Sequence, residues 1–83
     1  MHSINICIEA FGAIEKQLPQ ELTFECEFNA TVAEVLNMIV QTYPQVEAML
    51  ERCACAIGED IISRQQHLTQ NSTVVLLSPV AGG

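Results

Sequence analysis

Ile4, Ile6 and Ile8 alternate with Asn5, Cys7 and Glu9, the period-two spacing of a half-buried strand. A second run alternates in the same way. Leu22, Phe24, Cys26 and Phe28 fall on one face and are expected in the core, while Thr23, Glu25 and Glu27 fall on the face that meets water. The intervening stretch from Phe11-Gly12-Ala13 to Leu18-Pro19-Gln20 makes these strands a hairpin with a long loop. The period then changes. Thr31-Val32-Ala33-Glu34 has the form of a capping box, and Val32, Val35, Leu36, Ile39 and Val40 recur at helical spacing on one stripe. Tyr43-Pro44 ends that helix because the residue before proline disfavours helical backbone, and Pro44 can open a short second helix through Val46, Met49 and Leu50. Two short strands around Gly58-Glu59-Asp60, Cys53 to Ile57 and Ile61 to Ser63, precede a last strand from Thr73 to Leu77.

The resulting order, two strands, a helix and three strands, predicts an α+β fold: a mixed sheet of four to five strands packed on one main helix. This order matches a β-grasp architecture but also permits other α+β arrangements. No linker, internal repeat or low-complexity segment interrupts the chain. Residues 1–78 are read as one domain, followed by an extended tail at 79–83.

Eighty-three residues bury only about 60% of the surface of the unfolded chain, so the core must be small and a large internal cavity is not expected. Half the residues are hydrophobic (49%) and 16% are charged, the balance of a folded domain. Lys16, Arg52 and Arg64 face ten acidic residues, for a net charge of −7. That charge repels phosphate backbones and anionic lipid, so nucleic acid and membranes are not expected partners. No secretion signal or membrane-length apolar run is present in the sequence, and a cytoplasmic location is expected. Cys7, Cys26, Cys53 and Cys55 sit in apolar or alternating runs and are expected to be small core residues rather than disulfides or metal ligands. Cys53 and Cys55 lack the two-residue gap of common zinc and redox sites. His2, His67 and the Glu59-Asp60 pair show no catalytic arrangement.

The chemistry is concentrated at the end of the chain. After the apolar run Thr73-Val74-Val75-Leu76-Leu77 come Ser78-Pro79-Val80-Ala81-Gly82-Gly83. Pro79 cannot donate to a sheet ladder and should end the strand, directing the tail away from the body. Five residues at about 3.5 Å each reach roughly 17 Å, enough to enter a pocket of another protein. A Gly-Gly terminus fits a channel too narrow for side chains, and the α-carboxylate of Gly83 is then the candidate reactive group, needing no proteolysis to expose it. A carboxylate becomes electrophilic only after activation, for example as an acyl-adenylate.

A short β-grasp-like chain whose apolar last strand runs into Pro-Val-Ala-Gly-Gly resembles the small, sulfur-carrying subunit of molybdopterin synthase, a ubiquitin-like family. The resemblance covers nearly the whole chain and is most specific from Leu68 to Gly83. Ser78 stands where the family usually has the first of two prolines, Asn71 where glycine is common, and Leu76-Leu77 where aromatics are frequent. An arginine often found in the family near Ile8 to Ala13 is missing. The resemblance implies that an adenylating enzyme of the ubiquitin-activating type uses ATP to activate Gly83 and that a sulfur donor converts it to a thiocarboxylate. The tail then enters the large synthase subunit and delivers sulfur to cyclic pyranopterin monophosphate for molybdenum cofactor. Catalytic side chains would belong to the partners, and no cofactor would be held permanently. Pro79, Val80, Ala81 and Gly82 would contact the partner. The family also docks through an apolar sheet patch near the tail, for which Ile61 and Leu77 are the candidates, with core burial expected for at least one. Thiamine thiazole synthesis, a ubiquitin-like modifier joined to lysines, and a plain binding module with an incidental tail are the competing functions.

Overall fold

In the computed structural model, which describes residues 2–79, the two alternating runs pair as antiparallel strands β1 (Ser3–Phe11) and β2 (Leu22–Glu27). Their loop contains a turn of 3-10 helix at Ala13–Gln17 that places Ile14 fully in the core. Helix α1 (Val32–Thr42) follows, then a 3-10 turn at Pro44–Val46, helix α2 (Glu47–Arg52), β3 (Ala54–Ile57), β4 (Asp60–Ile62) and β5 (Ser72–Leu77). The sheet order is β2-β1-β5-β3-β4, with β5 parallel to β1 and every other neighbour antiparallel. The last strand therefore inserts at the centre, between the first hairpin and the β3–β4 hairpin. This is the ubiquitin-like β-grasp arrangement.

One sheet face packs on the helices. Ile4, Ile6 and Ile8 of β1 and Val74 and Leu76 of β5 meet Val32, Val35, Leu36 and Ile39 of α1, with Val46 and Leu50 closing one end. These side chains are buried because helical spacing and strand alternation each present a single apolar face to the same interior.

Two local devices hold α1 in place. Thr31 and Glu34 form the expected capping box, with Glu34 N–H donating to Thr31 Oγ1 (3.3 Å) and Thr31 N–H donating to Glu34 Oε2 (3.0 Å). The β4–β5 connection supplies the rest, since Val32 N–H donates to the Gln66 carbonyl (3.0 Å) and Ala33 N–H to that of Arg64 (2.9 Å). The free donors of the helix start are thereby satisfied from both sides. Thr31→Ala is expected to lower stability by about 1 kcal/mol in urea unfolding, the ordinary cost of a lost N-cap. The Arg64 guanidinium spans the carbonyls of Leu50 and Cys53 at the end of α2, where a cation suits the helix terminus.

Two expectations are corrected. Phe28 is half exposed, not core, because β2 ends at Glu27 and Asn29 turns the chain in the left-handed region (φ 75°). Its ring packs edge-on to His2 instead (centroids 6.4 Å apart). Cys7 is exposed because its odd position in β1 faces away from the helices, and Cys26 is half-buried; only Cys53 and Cys55 are core thiols. Asn71, at the position where the family commonly has glycine, uses its side-chain oxygen to accept from Asn5 N–H (2.8 Å), beyond the start of the β1–β5 ladder.

Candidate functional site

Strand β5 ends beside the β1 loop, where Leu77 and Ser78 meet Phe11, Gly12 and Ile14. At Leu77 the strand lies opposite Phe11 on one side and Ala54 on the other. The next residue, Ser78, donates its N–H to the Phe11 carbonyl (3.0 Å), and its hydroxyl donates to the same oxygen (2.9 Å) while accepting from Ile14 N–H (3.0 Å). Because Ile14 is fully buried, these bonds tie the root of the tail to the core.

Gly12 makes the junction possible. Its backbone (φ 88°, ψ −151°) lies in a region open essentially to glycine alone. A Cβ there would also have no room, since the Ser78 oxygens already occupy its place. Ser78 is thus no passive substitute for proline: both its N–H and its hydroxyl are used, and proline has neither. Pro79 follows, exposed. Val80, Ala81, Gly82 and Gly83 lie outside the described residues.

The outer face of the sheet, away from the helices, is apolar next to this root. Ile61 is 68% exposed and Leu77 38%, so core burial claims neither. Pairing puts them on one surface. Ile61 stands beside Ala56, Ala56 beside Val75, and Leu77 between Ala54 and Phe11, which is 49% exposed. Phe11 was not among the expected site residues. Its position in the sequence suggests only a loop, and the parallel register that sets it against Leu77 arises from a contact 66 residues distant in sequence. Glu9, exposed and paired with Val75, adds one carboxylate beside the patch.

The thiols lie elsewhere. Burial pushes the Cys53 and Cys55 thiols up; at Cys53 neighbouring Cys55 adds to the rise, and Arg64 opposes it at both. Burial, reinforced by the Glu34 carboxylate, also raises Cys26. These groups are held as neutral thiols, the reverse of an activated nucleophile. Since their folded values lie above the unfolded ones, the stability they contribute is complete below the ordinary thiol value of about 8.5 and is lost as pH rises through the folded values. Thermal unfolding should show a falling Tm above that pH, and a double Cys53→Ala/Cys55→Ala variant should show a smaller fall.

A five-stranded β-grasp sheet with an apolar outer face beside the exit of its last strand defines a ubiquitin-like domain. Comparison with known proteins gives the family. The ThiS family model matches residues 9–83. The chain belongs to the ThiS family. No curated protein matches it by sequence. Among solved structures, small archaeal modifier protein 1 from Haloferax volcanii is similar in fold (15% identity, TM-score 0.82, covering 95% of this chain and 99% of that one). The corresponding protein from Methanosarcina acetivorans superposes over the full length of both chains (18% identity, TM-score 0.79). A chain from the complex of subunits 1 and 2 of the molybdopterin-converting factor from Helicobacter pylori 26695 is 26% identical (TM-score 0.61, covering 96% of this chain and 100% of that one). The protein is therefore a ubiquitin-like sulfur carrier or modifier. No helix among the described residues is long and apolar enough to cross a membrane.

Proposed function

We propose that this chain is the sulfur-carrying small subunit of molybdopterin synthase. The observation that carries the reading is the continuity of β5 into Ser78 and Pro79, with the exposed Phe11, Ile61 and Leu77 beside that exit and Gly82-Gly83 at the end of the sequence. A partner that grips the patch can receive the tail from a fixed starting point. The Helicobacter relative, seen in a complex of subunits 1 and 2, supports a large-subunit partner here.

In this reading the Gly83 carboxylate attacks the α-phosphate of ATP on an adenylating enzyme, releasing pyrophosphate. Sulfide-level sulfur from a donor then attacks the acyl carbon and displaces AMP, leaving a thiocarboxylate. On the large subunit, the thiocarboxylate sulfur attacks a side-chain carbon of the pyranopterin precursor and displaces a phosphate oxygen from it; water then cleaves the resulting thioester, leaving the thiol on the pterin and restoring the Gly83 carboxylate. Phe11, Ile61 and Leu77 hold partners, and Ser78 sets where the tail starts. The acidic surface favours partners with basic pockets.

Intact mass of the protein from its own host, under conditions that preserve thioacids, tests the proposal. One oxygen-to-sulfur exchange at Gly83 supports a sulfur carrier, and loss of cofactor synthesis on deleting Gly82 and Gly83 from a chain that still folds assigns the pathway. Isopeptide conjugates with an unexchanged terminus would overturn the proposal in favour of a modifier.

A further inference from the structure

Strand β2 forms one edge of the sheet, with β1 its sole strand neighbour. Phe28 N–H donates to the His2 carbonyl (3.0 Å), and the register places His2 opposite Phe28 and Ile4 opposite Cys26. In an antiparallel ladder this sets the phase. Phe24 and Cys26 turn their backbone groups toward β1, leaving the N–H and C=O of Thr23 and Glu25, and the N–H of Glu27, on the open side. The Glu27 carbonyl is taken by Ala30 N–H (3.1 Å).

Along this edge, between β2 and α1, runs a groove of about 650 Å³. Half-buried Cys26, Ala30 and Met38 form its apolar floor; the Glu34 carboxylate lines it from α1, and Glu25 and Glu27 border it along the strand edge. Among the described residues, no lysine or arginine lines it. At the floor, burial first and the nearby Glu34 carboxylate second push the Cys26 thiol up.

We propose that this groove and the open edge of β2 dock an extended basic segment of a partner protein, added as a further strand. Charge and alternation choose the occupant. Glu25 and Glu27 project from the outer sheet face while Cys26 between them faces the helix side, so an added strand that alternates lysine or arginine with an apolar residue meets carboxylates on one face and the floor on the other. A second copy of this chain fits badly, because pairing two β2 edges brings their glutamates together. The site is separate from the tail: β1 lies between β2 and β5, so the edge stays open when a partner occupies the patch of Phe11, Ile61 and Leu77. A partner can thus hold the carrier by one edge while another handles its terminus.

The test is titration of the full-length, isotope-labelled protein with a short capped peptide alternating lysine and valine, followed by amide NMR. Shifts are expected at Thr23 to Glu27 and Met38, with slowed hydrogen exchange at the Thr23, Glu25 and Glu27 amides. Glu25→Lys/Glu27→Lys should weaken binding by at least about tenfold, as two lost or reversed charge pairs allow. A peptide alternating glutamate and valine should not bind. Both mutated positions are exposed, so the fold should persist, as its unchanged amide spectrum elsewhere would verify. The proposal is overturned if millimolar lysine peptide leaves β2 unshifted, if shifts fall only on the face of Phe11, Ile61 and Leu77, or if the charge-reversed protein or the glutamate peptide binds equally well.

Discussion

Gly12→Ala is expected to destabilise the protein by about 2–4 kcal/mol, near the upper end for a single methyl group. Two costs combine. An alanine at φ 88° and ψ −151° occupies backbone space that costs about 1–3 kcal/mol for a non-glycine residue. Its Cβ would also collide with the backbone oxygen and hydroxyl of Ser78, and the backbone oxygen cannot rotate away. Relief requires the end of β5 to separate from the β1 loop, which breaks the three hydrogen bonds of Ser78. Urea unfolding measures the loss. Ser78→Ala removes only the hydroxyl bonds and should cost about 1–2 kcal/mol, since Ile14 N–H is left without its acceptor. If Gly12→Ala unfolds at the wild-type urea concentration, the tail root is not anchored as described. If the two variants bind a partner with unchanged affinity after correction for the unfolded fraction, the anchor serves stability alone.

Ile61→Asp should have the opposite profile, with little effect on folding and a large effect on association. The side chain is 68% exposed in β4, so its removal from the monomer leaves no cavity, and the unfolding midpoint should stay close to wild type. Against a partner that covers the patch, a buried unpaired carboxylate costs at least about 2 kcal/mol, a loss of about thirtyfold in affinity. Calorimetry with the adenylating enzyme and with the large synthase subunit measures it. A loss with both shows that the two use one surface in succession, as a carrier that changes partner requires. An unchanged affinity with both would show that recognition rests on the tail or another face, and would remove the patch from the proposed mechanism.

Much of the fold is legible in the sequence because its strongest signals are local. The isoleucine alternation of β1, the capping box at Thr31 and Glu34, and the proline that ends α1 depend on neighbours within a few residues, and each is found where the spacing places it. The errors have local causes too. Phe28 continues the alternation of β2 by pattern, but the left-handed turn at Asn29 ends the strand before it. Residue type favours the core for Cys7, but its odd register in β1 places it outward.

Local patterns in the chain suffice for the order of elements and the apolar faces that meet in the core, since periodicity and caps act through short-range sterics. What surrounds the exit of the last strand depends on long-range pairing. The parallel pairing of β5 with β1 joins Phe11 to Leu77 and Gly12 to Ser78, contacts between residues at opposite ends of the chain. It also leaves β2 as an open acidic edge. Such placements follow from which strands are neighbours, a property of the whole packed sheet that no local spacing encodes.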